Sequence, residues 1–154
     1  MTFKSKKLET VGPRAFYGCA SLTSVSINAK NIHFANHAFE KCKKLKDISF
    51  FERARSCGPG LFRDCTGIRK AVLPAGLQNV ASNVFNGCKN LRSITVKGTR
   101  TTVKKSADSI YAGKKIFAKK AFKGLPKKCT ITVKNRKVKA AVEKTGYKGT
   151  IVVK

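Results

Sequence analysis

The chain has 154 residues, a length typical of one domain, and 42% of its residues are hydrophobic, which is enough to form a continuous core. Lys and Arg number 34 against 7 Asp and Glu, so the formal net charge of +27 attracts polyanions without specificity. No segment approaches the roughly 18 apolar residues of a membrane-spanning helix, and the first residues lack the apolar run of a secretory signal. The composition therefore predicts a folded domain without a membrane span.

A repeat of 23 residues organises most of the chain. Its anchors are four phenylalanines at this spacing, Phe16, Phe39, Phe62 and Phe85. Three positions after each anchor stands a cysteine: Cys19, Cys42, Cys65 and Cys88. Apolar residues or Cys also recur five positions before each anchor and six, nine and eleven positions after it. Such columns indicate a repeat architecture, in which each unit buries its apolar face only by stacking on its neighbours.

Each copy contains one short predicted strand. Apolar and polar residues alternate in V-S-I at 25–27, I-S-F at 48–50, I-T-V at 94–96 and I-T-V at 131–133, the pattern of a half-buried strand. The segment A-F-x-x-C-x-x-L spaces its apolar residues by three, which suits one or two turns of tight helix. Stacked copies then predict an α/β right-handed solenoid with a parallel sheet on one face and short helices or turns on the other. We expect the inward residues of this sheet to include Val25, Ile48, Ala71, Ile94 and Ile131.

A fifth copy follows when Phe122 is taken as its anchor, with Ile131 and Val133 nine and eleven positions after it. Its distance from Phe85 is 37 residues, so 14 residues are inserted between the fourth and fifth copies. The polar composition of 98–111 predicts that the insertion is a loop within this segment. These five copies and the insertion assign residues 1–134 to the solenoid.

The last residues, 135–154, are predicted to form a C-terminal cap of one helix and one strand. The segment 136–144 has apolar residues at helical spacing, Gly146 stops the helix, and 150–153 is a strand candidate. At the other end, the segment 2–7 is too short for a comparable cap. We therefore expect either that the chain is cut from a larger array or that its first copy is exposed.

The repeat resembles that of a known family. The segment V-G-P-R-A-F-Y-G-C-A-S-L-T-S-V-S-I at 11–27 is similar to the BspA-like class of bacterial leucine-rich repeats, and copies two to four match the same pattern. The resemblance covers residues 8–134, and the ending at 137–154 is similar to the helix and strand common at the end of these proteins. It implies a leucine-rich-repeat solenoid in an extracellular or cell-surface protein of bacteria or some protists. It also implies adhesion and binding, without naming one ligand.

The cysteines and histidines predict neither disulfides nor a metal site. Four of the six cysteines occupy the same repeat position, a small apolar slot, so we expect them to be buried free thiols. No C-x-x-C motif offers a pair of zinc ligands. His33 and His37 are four residues apart, but no Glu lies between them and no third ligand is in register, so both are interpreted as solvated residues.

The sequence contains no catalytic constellation. The seven acidic residues are dispersed over different copies, and no pair is arranged as a general acid and base. Neither a G-x-S-x-G elbow nor a phosphate-binding glycine loop occurs. The sequence therefore predicts a protein that is not an enzyme and that binds no cofactor and no metal.

A binding surface is the function that the repeat favours. The residues between the buried strand positions face outward on the sheet, which is the usual contact surface of a curved solenoid. These candidate binding residues are Ser24, Ser26, Asp47, Ser49, Lys70, Val72, Ser93, Thr95, Thr130 and Thr132. Short hydroxyl side chains dominate the set and lose little entropy on binding, which suits an extended protein or glycan ligand. The same hydroxyls are also compatible with a surface that only fills strand positions.

The basic residues favour a second hypothesis. Lysine pairs at 104–105, 114–115, 119–120 and 127–128 offer contacts to the charged groups of a nucleic acid or an acidic glycan. Aromatic residues make up only 8% of the chain and are nearly all assigned to the core, which leaves few rings for base stacking. The pairs are therefore interpreted first as a solvated basic face. A polyanion binder and a structural spacer stay open as alternatives to a protein or glycan adhesion module.

Overall fold

Parallel strands wound into a solenoid form the framework of the protein. The computed structural model describes residues 1–104 and 110–154, and every pairing between two named strands in these ranges is parallel. The strands are β1 (Thr2–Phe3), β2 (Thr10–Val11), β3 (Ser26–Ile27), β4 (Ile32–Phe34), β5 (Ala54–Cys57), β6 (Lys70–Leu73), β7 (Asn79–Val80), β8 (Ser93–Val96), β9 (Thr130–Val133) and β10 (Thr150–Val153). A 3-10 helix, Ser49–Arg53, and one α-helix, α1 (Arg136–Glu143), complete the regular structure of these ranges. The predicted solenoid is confirmed.

The predicted strands belong to a front ladder. In it β6, β8, β9 and β10 pair in that order. Toward the N-terminus the ladder continues less regularly, with β1 paired to β3 and an isolated bridge between Ser24 and Asp47. The residues predicted to face inward are all buried: Val25, Ile48, Ala71, Ile94 and Ile131.

A second set of strands forms a rear ladder, which the sequence analysis did not predict. Here β2, β4, β5 and β7 pair in that order, and Val80 bridges to Phe117. These residues carry the apolar column that stands five positions before each anchor. Each rear strand contains only one residue of a repeated apolar column, so no alternation recurs from copy to copy. The expectation of one strand per copy is therefore wrong.

The segment A-F-x-x-C-x-x-L forms hydrogen-bonded turns in place of a continuous helix. An α-helix would require its N–H groups to bond carbonyls four residues earlier in the same segment. The anchors instead donate to the next copy of the repeat. The bonds run from Phe16 N to Ala38 O (2.7 Å), from Phe39 N to Leu61 O (3.0 Å) and from Phe62 N to Val84 O (2.9 Å). Neighbouring copies thus satisfy the polar backbone of each turn.

The second copy departs from the repeat where its strand was predicted. The 3-10 helix Ser49–Arg53 replaces the strand expected at 48–50. Phe50 and Phe51 are adjacent and both are buried, which the alternating sides of a strand do not permit. Ser49 is consequently an exposed residue of the 3-10 helix, and its assignment to a strand is wrong.

Stacked phenylalanine rings occupy the centre of the core. The ring centroids of successive anchors lie 4.9 Å apart for Phe16 and Phe39, 5.7 Å for Phe39 and Phe62, and 5.6 Å for Phe62 and Phe85. Phe51 adds an edge-to-face contact with Phe62 at 5.2 Å. Large buried rings contribute much of the apolar area in such a core, and each anchor packs on the anchor of the next copy.

The C-terminal helix and strand form as predicted. Asn135 Oδ1 caps α1 by accepting a hydrogen bond from Val138 N at 2.9 Å. Val138 and Val142 are buried, and β10 pairs in parallel with β9. The boundary between a solenoid at 1–134 and a cap at 135–154 remains a prediction, because β9 and β10 share one ladder.

The insertion is partly paired, contrary to the predicted loop at 98–111. Val103 N donates to Lys114 O and Ile116 N donates to Thr101 O, each at 2.9 Å, in an antiparallel arrangement. The pairing reaches beyond the predicted segment because its second side begins after Tyr111. Residues 105–109, which include Lys105 and Asp108, lie outside the described residues.

The first copy is covered more than its sequence indicated. The segment 2–7, judged too short for a cap, contributes β1, and the ring of Phe3 lies 5.9 Å from that of Phe16 in an edge-to-face contact. Cys19 is nevertheless exposed, and Leu22 is only half-buried. The prediction that Cys19 is buried is wrong.

The other three cysteines of the column are buried free thiols, as predicted. Each thiol lies against the preceding copy and donates to the carbonyl of that copy's anchor. The bonds run from Cys42 Sγ to Phe16 O (3.0 Å), from Cys65 Sγ to Phe39 O (2.9 Å) and from Cys88 Sγ to Phe62 O (3.0 Å). In the described residues no earlier anchor precedes Cys19, so its thiol has no equivalent acceptor.

We expect the native protein to have one fast-reacting thiol in this column. A maleimide at a pH of about 8 should label Cys19 quickly and Cys42, Cys65 and Cys88 slowly, because the three buried thiols are out of reach of the reagent. Burial also raises the pKa of the Cys88 thiol to about 12. Mass mapping of quenched time points assigns each rate, and Cys19→Ser should abolish the fast phase. Similar rates at Cys19 and Cys65 would contradict the described burial.

Left-handed backbone recurs two residues before every anchor. The residues with positive φ in this column are Arg14, His37, Gly60, Asn83 and Lys120. A side chain is disfavoured there by roughly 1 kcal/mol relative to glycine, because its Cβ approaches the following carbonyl oxygen. The column is therefore strained wherever the sequence does not supply glycine.

Replacing Lys120 by glycine should stabilise the protein. Its φ is 64°, its side chain is exposed, and the mutation keeps the backbone hydrogen bond from Lys120 N to Thr145 O. We expect the free energy of unfolding in urea to rise by about 0.5–1 kcal/mol. Lys119→Gly removes the same charge at a residue without positive φ, so it should lower stability by a similar amount. Equal effects of the two substitutions would show that strain at Lys120 is negligible.

Candidate functional site

The outward side chains of the front ladder lie in two rows, which together with Ser24, Ser26, Asp47 and Ser49 we call the ladder face. One row aligns Lys70, Ser93, Thr130 and Thr150. The other aligns Val72, Thr95, Thr132 and Val152. The strand register thus brings together the predicted residues of copies three to five.

The last strand extends both rows beyond the predicted residues. Thr150 and Val152 stand opposite Thr130 and Thr132 because β10 pairs with β9 in register. The signal was present, since T-I-V-V at 150–153 repeats the pattern of T-I-T-V at 130–133.

The N-terminal part of the ladder face is continuous with these rows. Ser24, Ser26, Asp47 and Ser49 line one depression of about 510 Å³. Asp47 and Ser49 also line a second depression of about 410 Å³ together with Lys70. All the candidate residues therefore share one surface, although Ser49 reaches it from the 3-10 helix.

Glu52 belongs to the ladder face and was missed. It lines both depressions, and its Oε2 lies 2.5 Å from Lys97 Nζ, so an ion pair joins the second copy to the fourth. The assignment of 48–50 to a strand hid this position. The depression at the Ser24 end is lined by the acidic side chains Asp47 and Glu52 and by only one basic side chain, Arg53. The charge of this part of the face therefore differs from that of the whole chain, whose net charge is +27.

The two histidines connect neighbouring copies and are not the freely solvated residues that were expected. His33 lies on β4 with Nδ1 2.7 Å from Ser56 Oγ. His37 packs against Gly60, and its Nδ1 lies 2.6 Å from Glu40 Oε2. Both rings are half-buried, which suits a structural role between copies.

The hydroxyl that contacts His33 is closed to a ligand. Ser56, the partner of His33, is only 4% exposed, so a substrate does not reach its hydroxyl. No group of three His, Cys, Asp or Glu side chains in these ranges is positioned to hold a metal ion. No helix in the described part is long and apolar enough to cross a membrane.

Two adjoining clefts beside the cap form a second surface, which we call the basic cleft. The larger, of about 680 Å³, lies between the turn at 119–127 and the loop at 144–149. The smaller, of about 380 Å³, shares Lys119 and Lys144 with it. The lysines that line one or both are Lys115, Lys119, Lys120, Lys123, Lys127, Lys137, Lys144 and Lys148. No acidic residue is part of the described lining.

Half of these lysines belong to pairs that were predicted from the sequence. The pair 119–120 lines the cleft fully, while 114–115 and 127–128 each contribute one residue. The lysines at 123, 137, 144 and 148 are not paired with another lysine in sequence, so they were not singled out. Only the packing of the tail against the fifth copy brings the paired and the unpaired lysines together.

The tail is fastened beneath the basic cleft by Tyr147. Its hydroxyl donates to Cys129 O at 2.5 Å, and its ring lies 6.4 Å from that of Phe122. Burial, and then the neighbouring Cys129 thiol, raise the pKa of Tyr147 to about 12. The phenol is thus held protonated in the folded state.

The repeat matches the model of a known protein family. The model of the BspA type leucine-rich repeat region matches residues 2–112 in six copies. A comparison with curated proteins gives no match.

Two solved structures share the fold. The pneumococcal vaccine antigen PcpA is similar with a TM-score of 0.69 and 16% identity, over 99% of this chain and 41% of PcpA. A leucine-rich cell surface protein from Faecalibacterium prausnitzii has a TM-score of 0.58 and 24% identity, over 82% of this chain and 32% of that protein. The chain spans less than half the length of either, and at these identities the similarity concerns the fold alone.

Replacing Tyr147 by phenylalanine should loosen the tail. Loss of the hydrogen bond to Cys129 O should lower the free energy of unfolding at neutral pH by about 1 kcal/mol. Because the folded-state pKa is raised to about 12, this contribution is present below about pH 10 and is lost as the pH rises toward 12. Spectrophotometric titration should detect a phenol with a pKa of about 12 that disappears in Tyr147→Phe.

The matched control for Tyr147 is Tyr17→Phe, at an exposed tyrosine of the first copy. Its hydroxyl accepts a hydrogen bond from Lys41 Nζ at the surface, so the change in stability should stay within about 0.5 kcal/mol. Equal losses in the two variants would contradict a special role of Tyr147.

Proposed function

We propose that this chain, which belongs to the BspA-type leucine-rich repeat family, is a non-enzymatic binding module that holds a protein or glycan ligand on its ladder face. The supporting observation is the continuity of that face across the copies. Its two rows run through four paired strands and adjoin the two depressions lined by Asp47, Ser49 and Glu52.

The chemistry of the ladder face suits an extended ligand. Ser93, Thr95, Thr130 and Thr132 are half-exposed, so their hydroxyls are open to a ligand while the strand holds them in place. Parallel strands about 4.8 Å apart repeat the same donors and acceptors at regular intervals. A peptide or an oligosaccharide also carries polar groups at regular intervals. Rigid short side chains lose little entropy when they are bound.

A secreted or cell-surface location is part of the proposal. Its support is the family and the similarity to the cell surface protein of Faecalibacterium prausnitzii. Within this proposal the chain acts as an adhesion module of a larger surface assembly.

The second candidate is a polyanion binder, which the net charge of +27 favours. The affinity of such binding falls as the ionic strength rises, and it is weak once the Debye length falls to about 6 Å, near 0.3 M salt. A structural spacer, the third candidate, binds nothing on either surface. The response to salt separates the first two, and the absence of any ligand identifies the third.

Blocking the ladder face should abolish specific binding regardless of the sign of the added charge. We propose two double variants, Thr95→Lys with Thr132→Lys, and Thr95→Glu with Thr132→Glu. The probes are an array of uncharged oligosaccharides and a panel of purified extracellular-matrix proteins. A probe that binds the unmodified chain at about 0.3 M salt should lose at least roughly tenfold in affinity with both variants, as expected for a central contact. If binding were attraction by charge alone, one double variant would bind the probe more tightly and the other would bind it more weakly.

Ser21 and Ser82 provide the control positions, since both lie in turn segments outside the front ladder. The corresponding double variants to Lys and to Glu change the net charge equally and should leave the affinity unchanged. Salt-resistant binding that survives both Thr95 and Thr132 variants would refute the ladder face as the site. Complete lack of salt-resistant binding to the probes would favour a spacer or a polyanion binder.

A further inference from the structure

The structure carries a second binding surface, and we propose that the basic cleft binds an extended anionic polysaccharide. This site goes beyond the proposed function, because it lies beside the cap and uses none of the ladder-face residues. It also differs from diffuse attraction by the net charge, because it assigns the ligand to one group of lysines.

The charge in the basic cleft is uncompensated. None of its eight lysines has a carboxylate within 4.0 Å in the part of the chain that the structure describes. Glu143, the acidic residue next to Lys144, pairs with Lys139 at 4.0 Å and is not part of the lining. Like charges gathered around a concave surface focus the potential and raise the local concentration of anions. An anionic ligand would relieve their mutual repulsion.

The shape of the basic cleft favours a chain over a small anion. The larger part, of about 680 Å³, lies within the range of roughly 300–1,000 Å³ that is usual for ligand sites. Lys119 and Lys144 line both parts and therefore stand between them. A polymer that occupies the larger part can continue past these two lysines into the smaller one. A single inorganic ion would contact only a few of the eight lysines.

The side chains between the lysines favour a polysaccharide over a nucleic acid. Leu125 and Pro126 give the larger part an apolar wall, against which the C–H faces of sugar rings can pack. Phe122 and Tyr147 also line this part, but Phe122 is only 2% exposed and Tyr147 is half-buried against Gly149, so they leave little ring surface for base stacking. Single-stranded nucleic acids depend on such stacking platforms.

The basic residues of the cleft are all lysines, with no arginine in its described lining. Arginine recognises phosphate through two parallel hydrogen bonds, whereas lysine acts as a hydrated point charge. Lysines at many points along a cleft therefore suit a chain of sulfate or carboxylate groups whose exact geometry varies. Affinity should depend on the number of charges that the chain places in the cleft.

The test uses a short heparin oligosaccharide and compares two variants of equal charge. The cleft variant replaces Lys119, Lys123, Lys144 and Lys148 by Gln. The matched control replaces four exposed lysines elsewhere, Lys6, Lys30, Lys43 and Lys89. By fluorescence anisotropy at about 0.15 M NaCl, we expect the cleft variant to lose at least about tenfold in affinity and the control to lose no more than about threefold. The slope of log affinity against log salt should also fall more in the cleft variant.

Thermal unfolding followed by circular dichroism checks that each variant is folded. If the fourfold cleft variant does not fold, the pairs Lys119 with Lys144 and Lys123 with Lys148 are tested separately, each against two of the control lysines. Acetylation footprinting of the unmodified chain gives an independent measurement. Heparin should protect the cleft lysines, including Lys120 and Lys127, and leave Lys6, Lys30, Lys43 and Lys89 reactive.

Equal losses in the cleft and control variants, or uniform protection of all lysines, would overturn the proposal and leave only diffuse attraction. Tighter binding of an oligodeoxythymidine of equal charge would overturn the assignment to a polysaccharide. The ladder-face variants at Thr95 and Thr132 are not part of the cleft, so failure of either proposal is recognisable without the other.

Discussion

Backbone hydrogen bonds between successive copies are the constraint on which the whole structure depends. The anchor N–H of one copy donates to the next copy, as Phe16 N does to Ala38 O and Phe39 N to Leu61 O. A turn that uses its donors in this way has no complete set of partners within its own copy. The thiols of the cysteine column add a bond in the opposite direction, from Cys65 Sγ to Phe39 O. Stability therefore belongs to the contact between copies more than to any single copy.

The periodic columns explain why much of the fold was predictable. A residue in a column inherits the environment of its equivalents, so Ala71 could be placed inside between Ile48 and Ile94 despite its small size. Burial cannot be inferred from the column where the neighbouring copy that covers the residue is different. Cys19 shares its column with buried thiols, yet no earlier anchor covers it. The rear ladder was missed for another reason, because only one residue of each rear strand belongs to a repeated apolar column and no alternation recurs from copy to copy.

The two candidate surfaces differ in the same way, because one is built from repeat columns and the other is not. The ladder face follows from the columns, so most of its residues were predicted. Glu52 was missed where the repeat changes, and Thr150 and Val152 were missed in the tail that follows the fifth copy. Ser49 and Glu52 are displaced by the burial of two adjacent phenylalanines, which converts a strand into a 3-10 helix. The basic cleft has no period at all, because it joins the turn at 119–127 to the loop at 144–149. Residues that meet only because the tail packs on the fifth copy have no regular spacing in the sequence, so they cannot be predicted from it.

The position of the basic cleft connects ligand binding with the integrity of the array. In the earlier copies the residue two before the anchor donates to the next copy, whereas Lys120 N donates to Thr145 O at 3.0 Å, in the segment that follows α1. The tail thus takes the place of a further copy, and it does so between two groups of lysines that repel each other. A bound polyanion would bridge these groups and oppose the repulsion, so by linkage it would stabilise the docked tail as well as occupy the cleft. Binding of an anionic ligand in the cleft and docking of the tail on the fifth copy would then be linked.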